Sequence, residues 1–93
     1  MEFTFTVGET ESHDVRFLYS NRLSSSVCIY VDSELVTKDV FRIWIPASRH
    51  YEFKVGDAER HDVVIEVTFP RIGTIFRNAD CGILIDGEFI TRY

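Results

Sequence analysis

Hydrophobic and polar residues alternate with a period of two along most of the chain. In the segment 2–7, Phe3, Phe5 and Val7 alternate with glutamate and threonine. This alternation is typical of a β-strand with one buried face. The same reasoning predicts further strands at residues 13–19, 27–31, 35–37, 40–45, 51–55, 63–69, about 79–85 and 88–93. We find no segment with a helical period.

Polar and glycine-containing segments separate these strands. Asp86-Gly87 lies between two apolar runs and predicts a tight type I′ hairpin, because both central residues of that turn need positive φ. Asp32-Ser33 predicts a second turn. Loops are predicted at residues 20–26 and 47–49, and the segment 71–80 has no clean strand period.

Two stretches of the chain carry the same pattern. The run from Phe5 to Val15 recurs from Phe53 to Val63, 48 positions later (53 − 5). The run from Val31 to Thr37 returns from Ile85 to Thr91, 54 positions later (85 − 31). The chain is therefore predicted to contain an internal pseudo-repeat in which each half is a hairpin, a loop and a second hairpin.

The pseudo-repeat predicts the fold class. One four-stranded unit would leave its apolar face in water, whereas two such units can bury their faces together. We expect an all-β fold, an antiparallel β-sandwich of about eight strands with two similar four-stranded halves, at about residues 2–40 and 50–93. A chain of 93 residues supports one hydrophobic core. Residues 1–93 are therefore expected to form a single domain.

The order of these blocks resembles a domain of the Fas apoptotic inhibitory molecule (FAIM) family. The matching residues are His13-Asp14-Val15-Arg16-Phe17, Ile29-Tyr30-Val31-Asp32-Ser33, Phe53-Lys54-Val55-Gly56 and Leu84-Ile85-Asp86-Gly87. Ser33 stands where the family usually has glycine, and the family members carry two sandwich domains. The resemblance implies a non-enzymatic sandwich that acts by protein interaction and is linked to limiting apoptosis and protein aggregation. It supplies no site residues.

Charge and composition exclude several classes of partner. The net charge is −5 and no cluster of lysine and arginine is present, which argues against nucleic acid and against an anionic membrane. No segment approaches the roughly 20 apolar residues that span a bilayer. No basic stretch precedes an apolar run in residues 1–30, so no secretory signal is expected and the predicted location is cytoplasmic. The distant cysteines Cys28 and Cys81 do not form a disulfide framework.

The candidate catalytic and metal-binding residues are two histidines and the two cysteines. His13 and His61 each precede an aspartate, but adjacent strand residues point to opposite faces, so we expect these histidines to fix the start of their strands by hydrogen bonding. Together with Cys28 and Cys81 they lack the short-spaced ligand pairs of a zinc site. We therefore expect no metal and no cofactor, and without a convergent acid, base and nucleophile we do not expect an enzyme.

Apolar residues outside the regular strands are candidates for partner binding. The segment 71–80 either folds back over an open end of the sandwich or forms a contact patch, and both readings stay open. The predicted partner-binding residues are Ile72, Ile75, Phe76, Arg77 and Trp44. The last strand, 88–93, can also pair with another strand, either in a homodimer or with a segment of a partly unfolded client protein.

A small-ligand site is the alternative function. An exposed Trp44 beside Tyr30 or Tyr51 would suit a carbohydrate or a peptide, because aromatic side chains offer a large flat contact surface. Quenching of the single tryptophan on ligand titration would distinguish this alternative from protein interaction.

Overall fold

A computed structural model describes residues 1–20, 25–41, 48–68 and 80–93 of the chain. Within these ranges every regular element is a β-strand, and no helix is long and apolar enough to cross a membrane. The strands are β1 (Glu2–Val7), β2 (His13–Ser20), β3 (Ser25–Val31), β4 (Glu34–Phe41), β5 (Ser48–Val55), β6 (His61–Thr68), β7 (Asp80–Ile85) and β8 (Glu88–Arg92). The predicted fold class is confirmed: the protein is all-β, with eight strands in two four-stranded antiparallel sheets.

Both sheets are simple meanders, in which each strand pairs with the next one along the chain. The strand orders are β1-β2-β3-β4 and β5-β6-β7-β8. In the first sheet the register places Phe3 opposite Phe17, and their rings stack with centroids 4.8 Å apart. Sequential antiparallel pairing allows short connections, and turn-forming residues separate β1 from β2, β3 from β4, β5 from β6 and β7 from β8.

The chain forms two compact units, each with its own buried residues. The first unit contains β1–β4 together with Lys54–His61, and the second contains most of β5 and, from Asp62 onwards, β6–β8. In both units most of the alternate residues that the sequence assigned to a buried face are buried, whereas Phe5 and Phe53 are half-buried. The buried hydrophobic residues are Phe3, Val7, Val15, Phe17, Tyr19, Val27 and Ile29 on β1–β3, and Tyr51, Val55, Val63, Ile65, Val67, Cys81 and Ile83 on β5–β7.

β4 is one continuous strand where the sequence predicted two. The apolar pattern separates 35–37 from 40–45 because Lys38 and Asp39 interrupt it, yet both residues pair with β3. The prediction was wrong here because an edge strand keeps its backbone hydrogen bonds whatever the polarity of its side chains. The part of the predicted strand beyond Phe41 lies outside the described residues.

Three strands extend further into the predicted loops than expected. Ser20 and Ser26 pair across β2 and β3, so the loop predicted at 20–26 is shorter than its serines suggested. Ser48 and Arg49 begin β5 rather than belonging to the loop at 47–49. Serine is common in loops, but its small side chain also fits at the end of a strand.

Each sheet has a β-bulge in its last strand. The register between β3 and β4 shifts between Ile29 and Tyr30, which leaves Val36 as the extra residue of β4. An equivalent shift between β7 and β8 leaves Ile90 as the extra residue of β8. Alternation alone did not predict either bulge. A bulge bends the strand and changes which side chains lie on each face, so both last strands differ in geometry from the strands beside them.

Candidate functional site

The structure describes only part of the predicted binding surface. Ile72, Ile75, Phe76, Arg77 and Trp44 all lie outside the described residues.

The tyrosines considered for a small-ligand site lie in different environments. Tyr51 is buried in the core and offers no surface. Tyr30 is half-buried, and the Arg16 guanidinium lies 5.5 Å from the centre of its ring. The small-ligand alternative therefore stays a prediction that depends on Trp44.

Two turns of the first unit, residues 8–12 and 56–60, share one backbone geometry. Gly8 and Gly56 both have φ of 100°. A Cβ atom on Gly8 would lie 2.0 Å from the carbonyl oxygen of Glu11, and one on Gly56 would lie 1.9 Å from that of Glu59. Only glycine fits at these two positions, because any side chain would collide with the turn itself.

The carboxylate of Glu59 binds the first of these turns. Oε2 accepts the backbone N–H of Glu9 at 2.9 Å. Oε1 accepts the N–H of Thr10 at 2.8 Å, the Thr10 hydroxyl at 2.7 Å and the N–H of Glu11 at 3.2 Å. Successive backbone N–H groups in a turn form a concave site for an anion, and Glu59 occupies that site.

The carboxylate of Glu11 binds the second turn in return. Its Oε2 accepts the N–H of Asp57 at 2.7 Å, and its Oε1 accepts the N–H of Ala58 at 3.2 Å. Each turn therefore supplies a glutamate to the other and receives one from it. We call this arrangement the carboxylate clasp: residues 8–12 and 56–60, joined by Glu11 and Glu59.

A histidine orients each glutamate of the carboxylate clasp. His13 Nε2 lies 2.8 Å from Glu11 Oε2, and His13 Nδ1 lies 2.5 Å from Asp32 Oδ2. His61 Nε2 bonds to Glu59 Oε2 in the same manner. The histidines hydrogen-bond at the starts of their strands, as their sequence positions predicted. For His13 the partners are Glu11 and Asp32 rather than the aspartate that follows it.

These contacts change the ionisation of the groups involved. Hydrogen bonds to Asp32 and then to Glu11 raise the pKa of His13 to about 9. The hydrogen bond from His61, followed by the turn N–H groups, holds the pKa of Glu59 well below its usual range. The pKa values of Glu11 and Asp32 are lowered too, in both cases chiefly by His13. At neutral pH His13 is therefore a cation between two carboxylates.

The two hairpin turns at Asp32 and Asp86 make matching contacts. Asp32 Oδ1 accepts the backbone N–H of Asp14 at 2.9 Å, and Asp86 Oδ1 accepts that of Asp62 at 2.9 Å. The paired positions are those that the sequence repeat matches with each other. Such equivalence is what an internal duplication would leave, and the duplication itself stays a prediction.

The carboxylate clasp has the chemistry of a structural element. The oxygens of Glu11 and Glu59 are occupied by backbone N–H groups, Thr10 and the histidines. In the described part of the chain no group of three or more histidine, cysteine, aspartate or glutamate side chains is arranged to hold a metal ion. Sequence reasoning noted the repeat and its histidines but missed the role of the glutamates. The available signal was the spacing Gly-x-x-Glu-x-His, which occurs in both halves.

The two cysteines are free thiols in different environments. Cys81 is fully buried, and that burial, together with the neighbouring Asp80, raises its pKa to about 12. Cys28 is half-buried. A thiol with so high a pKa is a poor nucleophile, so Cys81 fills space in the core as a small apolar residue.

Exposed apolar side chains are concentrated at the last strand of each sheet. Among the described residues the exposed large hydrophobic ones are Leu35, Val36, Val40, Phe89, Ile90 and Tyr93. All of them lie on β4, on β8 or directly after β8. We call these two strands the apolar edges. The opposite edge of the first sheet, β1, exposes Glu2, Thr4 and Thr6 instead.

The apolar edge at β8 has an ordered side-chain arrangement. Phe89 is 54% exposed, and its ring covers Gly82, where an added Cβ would lie 3.6 Å from the ring. The Arg92 guanidinium lies 5.9 Å from the centre of the same ring. β8 therefore exposes the aromatic ring of Phe89, with the positively charged Arg92 side chain beside it.

Comparison of the chain with protein-family models, curated proteins and solved structures finds no match. Its function is therefore inferred from the residues and geometry described above.

Proposed function

We propose that this protein is a non-enzymatic protein-interaction module that binds extended polypeptide segments along its apolar edges. The observation that carries the proposal is the placement of every exposed large hydrophobic residue of the described ranges on or beside β4 and β8. Those strands are the last of their sheets, and each pairs with one described neighbour.

An edge strand with apolar side chains suits a polypeptide ligand. The side of such a strand that faces no described strand can offer N–H and C=O groups to a further strand, and the side chains of the strand supply contacts that select the sequence. Phe89 and Ile90 are about half exposed. Removing the exposed half of each side chain from water would stabilise a complex by about 1 kcal/mol per residue. Exposed apolar side chains on an edge strand promote aggregation when they serve no purpose. A group of them therefore favours a role in binding a partner.

The resemblance to the Fas apoptotic inhibitory molecule family agrees with this proposal but stays a prediction. It extends the proposal to a protein that limits apoptosis or aggregation by holding partly unfolded clients. The free thiols of Cys28 and Cys81 support a reducing compartment, and we therefore propose the cytoplasm as the location.

The test is retention of partner proteins by edge variants. Purified domain is immobilised and exposed to host lysate before and after mild heat stress, and retained proteins are quantified by mass spectrometry. Wild type is compared with Phe89→Lys and Leu35→Lys, and with Thr4→Lys as a matched control on the polar edge β1. We expect the lysine variants at the apolar edges to lose the retained set and Thr4→Lys to keep it.

Two kinds of retained set separate the possible roles. One stoichiometric partner would indicate an adaptor, whereas many clients that appear only after stress would indicate aggregation control. Equal retention by all four proteins, with their folding verified by circular dichroism, would overturn the proposal that the apolar edges bind protein.

A further inference from the structure

The two apolar edges carry the same five-residue pattern, 54 positions apart (88 − 34). Each stretch begins with a glutamate and continues with two apolar residues, a threonine and a cation. The two stretches are Glu34-Leu35-Val36-Thr37-Lys38 and Glu88-Phe89-Ile90-Thr91-Arg92. In both stretches the threonine is half-buried and the other four residues are exposed. The two edges are therefore equivalent in residue type and in exposure.

On β4 the bulge brings an apolar side chain and a cation to one face of the sheet. Leu35 lies opposite Tyr30, and Lys38 lies opposite Cys28. Tyr30 and Cys28 are two residues apart on β3 and share a face, and residues opposite them on the neighbouring strand share that face too. Without the extra residue Val36, positions three apart on β4 would point to opposite faces. The shared face is the one opposite the buried residues of β3.

On β8 the bulge has the same effect. Phe89 lies opposite Leu84, Arg92 lies opposite Gly82, and Ile90 is the extra residue. The Arg92 guanidinium lies 5.9 Å from the centre of the Phe89 ring, so the two side chains meet on one face. A bulge can re-aim a side chain, and both bulges do so in the same way. Each edge therefore presents one exposed apolar residue beside one cation.

The spacing of the apolar residue and the cation defines the kind of segment that fits. Their partners on the neighbouring strand are two residues apart, so the two positions are separated by roughly 7 Å along the strand. In an extended segment, side chains two residues apart lie on one face at that same spacing. An apolar side chain and a carboxylate at two such positions would contact both groups of the edge at once. A carboxylate beside Lys38 or Arg92 forms charge-assisted hydrogen bonds, whereas a basic side chain there is repelled.

We propose that β4 and β8 are two copies of one recognition site, each for an extended polypeptide segment with an apolar and an acidic side chain two residues apart. The proposal rests on the proposed function, because it names the kind of segment that the apolar edges bind. The segment pairs along the side of β4 or β8 that faces no described strand. Its apolar residue covers Leu35 or Phe89, and its carboxylate contacts Lys38 or Arg92. Repulsion of basic residues lets each edge select among segments of equal hydrophobicity.

Two peptides that differ only in charge test this recognition. The acidic peptide is Thr-Glu-Thr-Leu-Thr-Glu-Thr and the basic peptide is Thr-Lys-Thr-Leu-Thr-Lys-Thr, both with acetylated and amidated ends. Each has its charges on both sides of the leucine, so parallel and antiparallel pairing give the same contact. Backbone amide NMR signals of residues 34–38 and 88–92, followed during titration, give a separate dissociation constant for each edge. We expect both edges to bind the acidic peptide about fivefold more tightly than the basic one.

Charge reversal at one edge tests whether the cations make the selection. In Arg92→Glu, the β8 edge should prefer the basic peptide while the β4 edge keeps its preference for the acidic one. Lys38→Glu should exchange the preference of β4 and leave that of β8 as it is. The unchanged edge of each variant is the matched control, because it experiences the same change in net charge. The amide spectrum of each variant also verifies that the variant is folded.

Four results would overturn the inference: no response to either peptide, equal affinity of wild type for both, a response confined to one edge, or preferences that charge reversal does not exchange. If lysate proteins are nevertheless retained by wild type and lost in Phe89→Lys and Leu35→Lys, only the charge-selective recognition is removed and the proposed function stands. Retention that ignores both lysine variants would remove the proposed function itself.

Discussion

Replacing Ser33 with glycine should stabilise the protein. The hairpin turn at Asp32 has serine at its second position, where the equivalent turn at Asp86 has glycine. Asp32 and Ser33 have φ of 50° and 69°, while Asp86 and Gly87 have 53° and 80°. The turns therefore share one left-handed geometry. A side chain such as serine adopts it with strain, whereas glycine does not.

The size of the effect follows from two opposing terms. The left-handed conformation costs an L-residue roughly 1–2 kcal/mol, which glycine avoids. Glycine also gives the unfolded chain more freedom, which costs about 0.4–1 kcal/mol on folding. Ser33→Gly should therefore raise the free energy of unfolding by about 0.5–1 kcal/mol. For a domain of this size about 1 kcal/mol corresponds to a rise in Tm of about 4–8 °C.

Urea titration measures the change in the free energy of unfolding, provided that the variants share one m-value. Two further variants serve as controls. Ser33→Ala retains the Cβ atom and should give none of the gain. Gly87→Ser should lose about as much as Ser33→Gly gains, because a Cβ at Gly87 has no atom within 4 Å and only the backbone is affected. A Ser33→Gly variant no more stable than Ser33→Ala would refute the reasoning.

Three further predictions concern the carboxylate clasp and the thiols. Glu59→Ala should destabilise the protein more than Glu11→Ala in urea titration, because Glu59 accepts three backbone N–H donors and Glu11 accepts two. The raised pKa of His13 contributes stability that is complete below about pH 6.5 and is lost as the pH rises through about 9. Tm should therefore fall across that window, and His13→Asn should flatten the slope. In native protein a thiol reagent should modify Cys28 before Cys81, as mass spectrometry of timed samples will show.

Each of these predictions has an outcome that contradicts it. Glu9→Ala is the control, because it removes one negative charge from the same turn. If Glu9→Ala lowered the free energy of unfolding as much as Glu59→Ala does, net charge and not the hydrogen bonds of the Glu59 carboxylate would be the cause. A Tm profile that His13→Asn leaves unchanged would show that His13 does not titrate with folding. Modification of both thiols at one rate would show that Cys81 is reached in the folded state.

The sequence predicted the parts of the fold that depend on neighbouring residues. The alternation at Phe3, Phe5 and Val7 corresponds to β1, and the Asp86-Gly87 turn has the positive φ values that its residues require. Both features arise within a few residues, so a local pattern contains the information. The bulges at Val36 and Ile90 were not predictable in this way. Their neighbours Leu35 and Phe89 are also apolar, so the extra residue does not interrupt an alternation of polar and apolar positions.

The clasp depended on information that a local pattern does not contain. Glu11 and Glu59 look like ordinary turn residues, and each finds its partners about 48 positions away. The exposed apolar residues were only partly anticipated: the last strand was named, whereas Leu35 on β4 was assigned simply to a strand. Exposure depends on which strand ends a sheet, and the sequence does not state strand order.

The carboxylate clasp also implies an order of events during folding. Both sheets are meanders whose hairpins join neighbouring segments, and isolated hairpins form in about 1–10 μs. The clasp instead joins residues 46 to 50 positions apart and must wait until a long stretch of chain has been ordered. Contacts made after the transition state slow unfolding without speeding folding. In stopped-flow experiments, Glu11→Ala and Glu59→Ala should accordingly raise the unfolding rate and leave the folding rate nearly unchanged. The carboxylate clasp would then be among the last contacts to form during folding and would slow unfolding once formed.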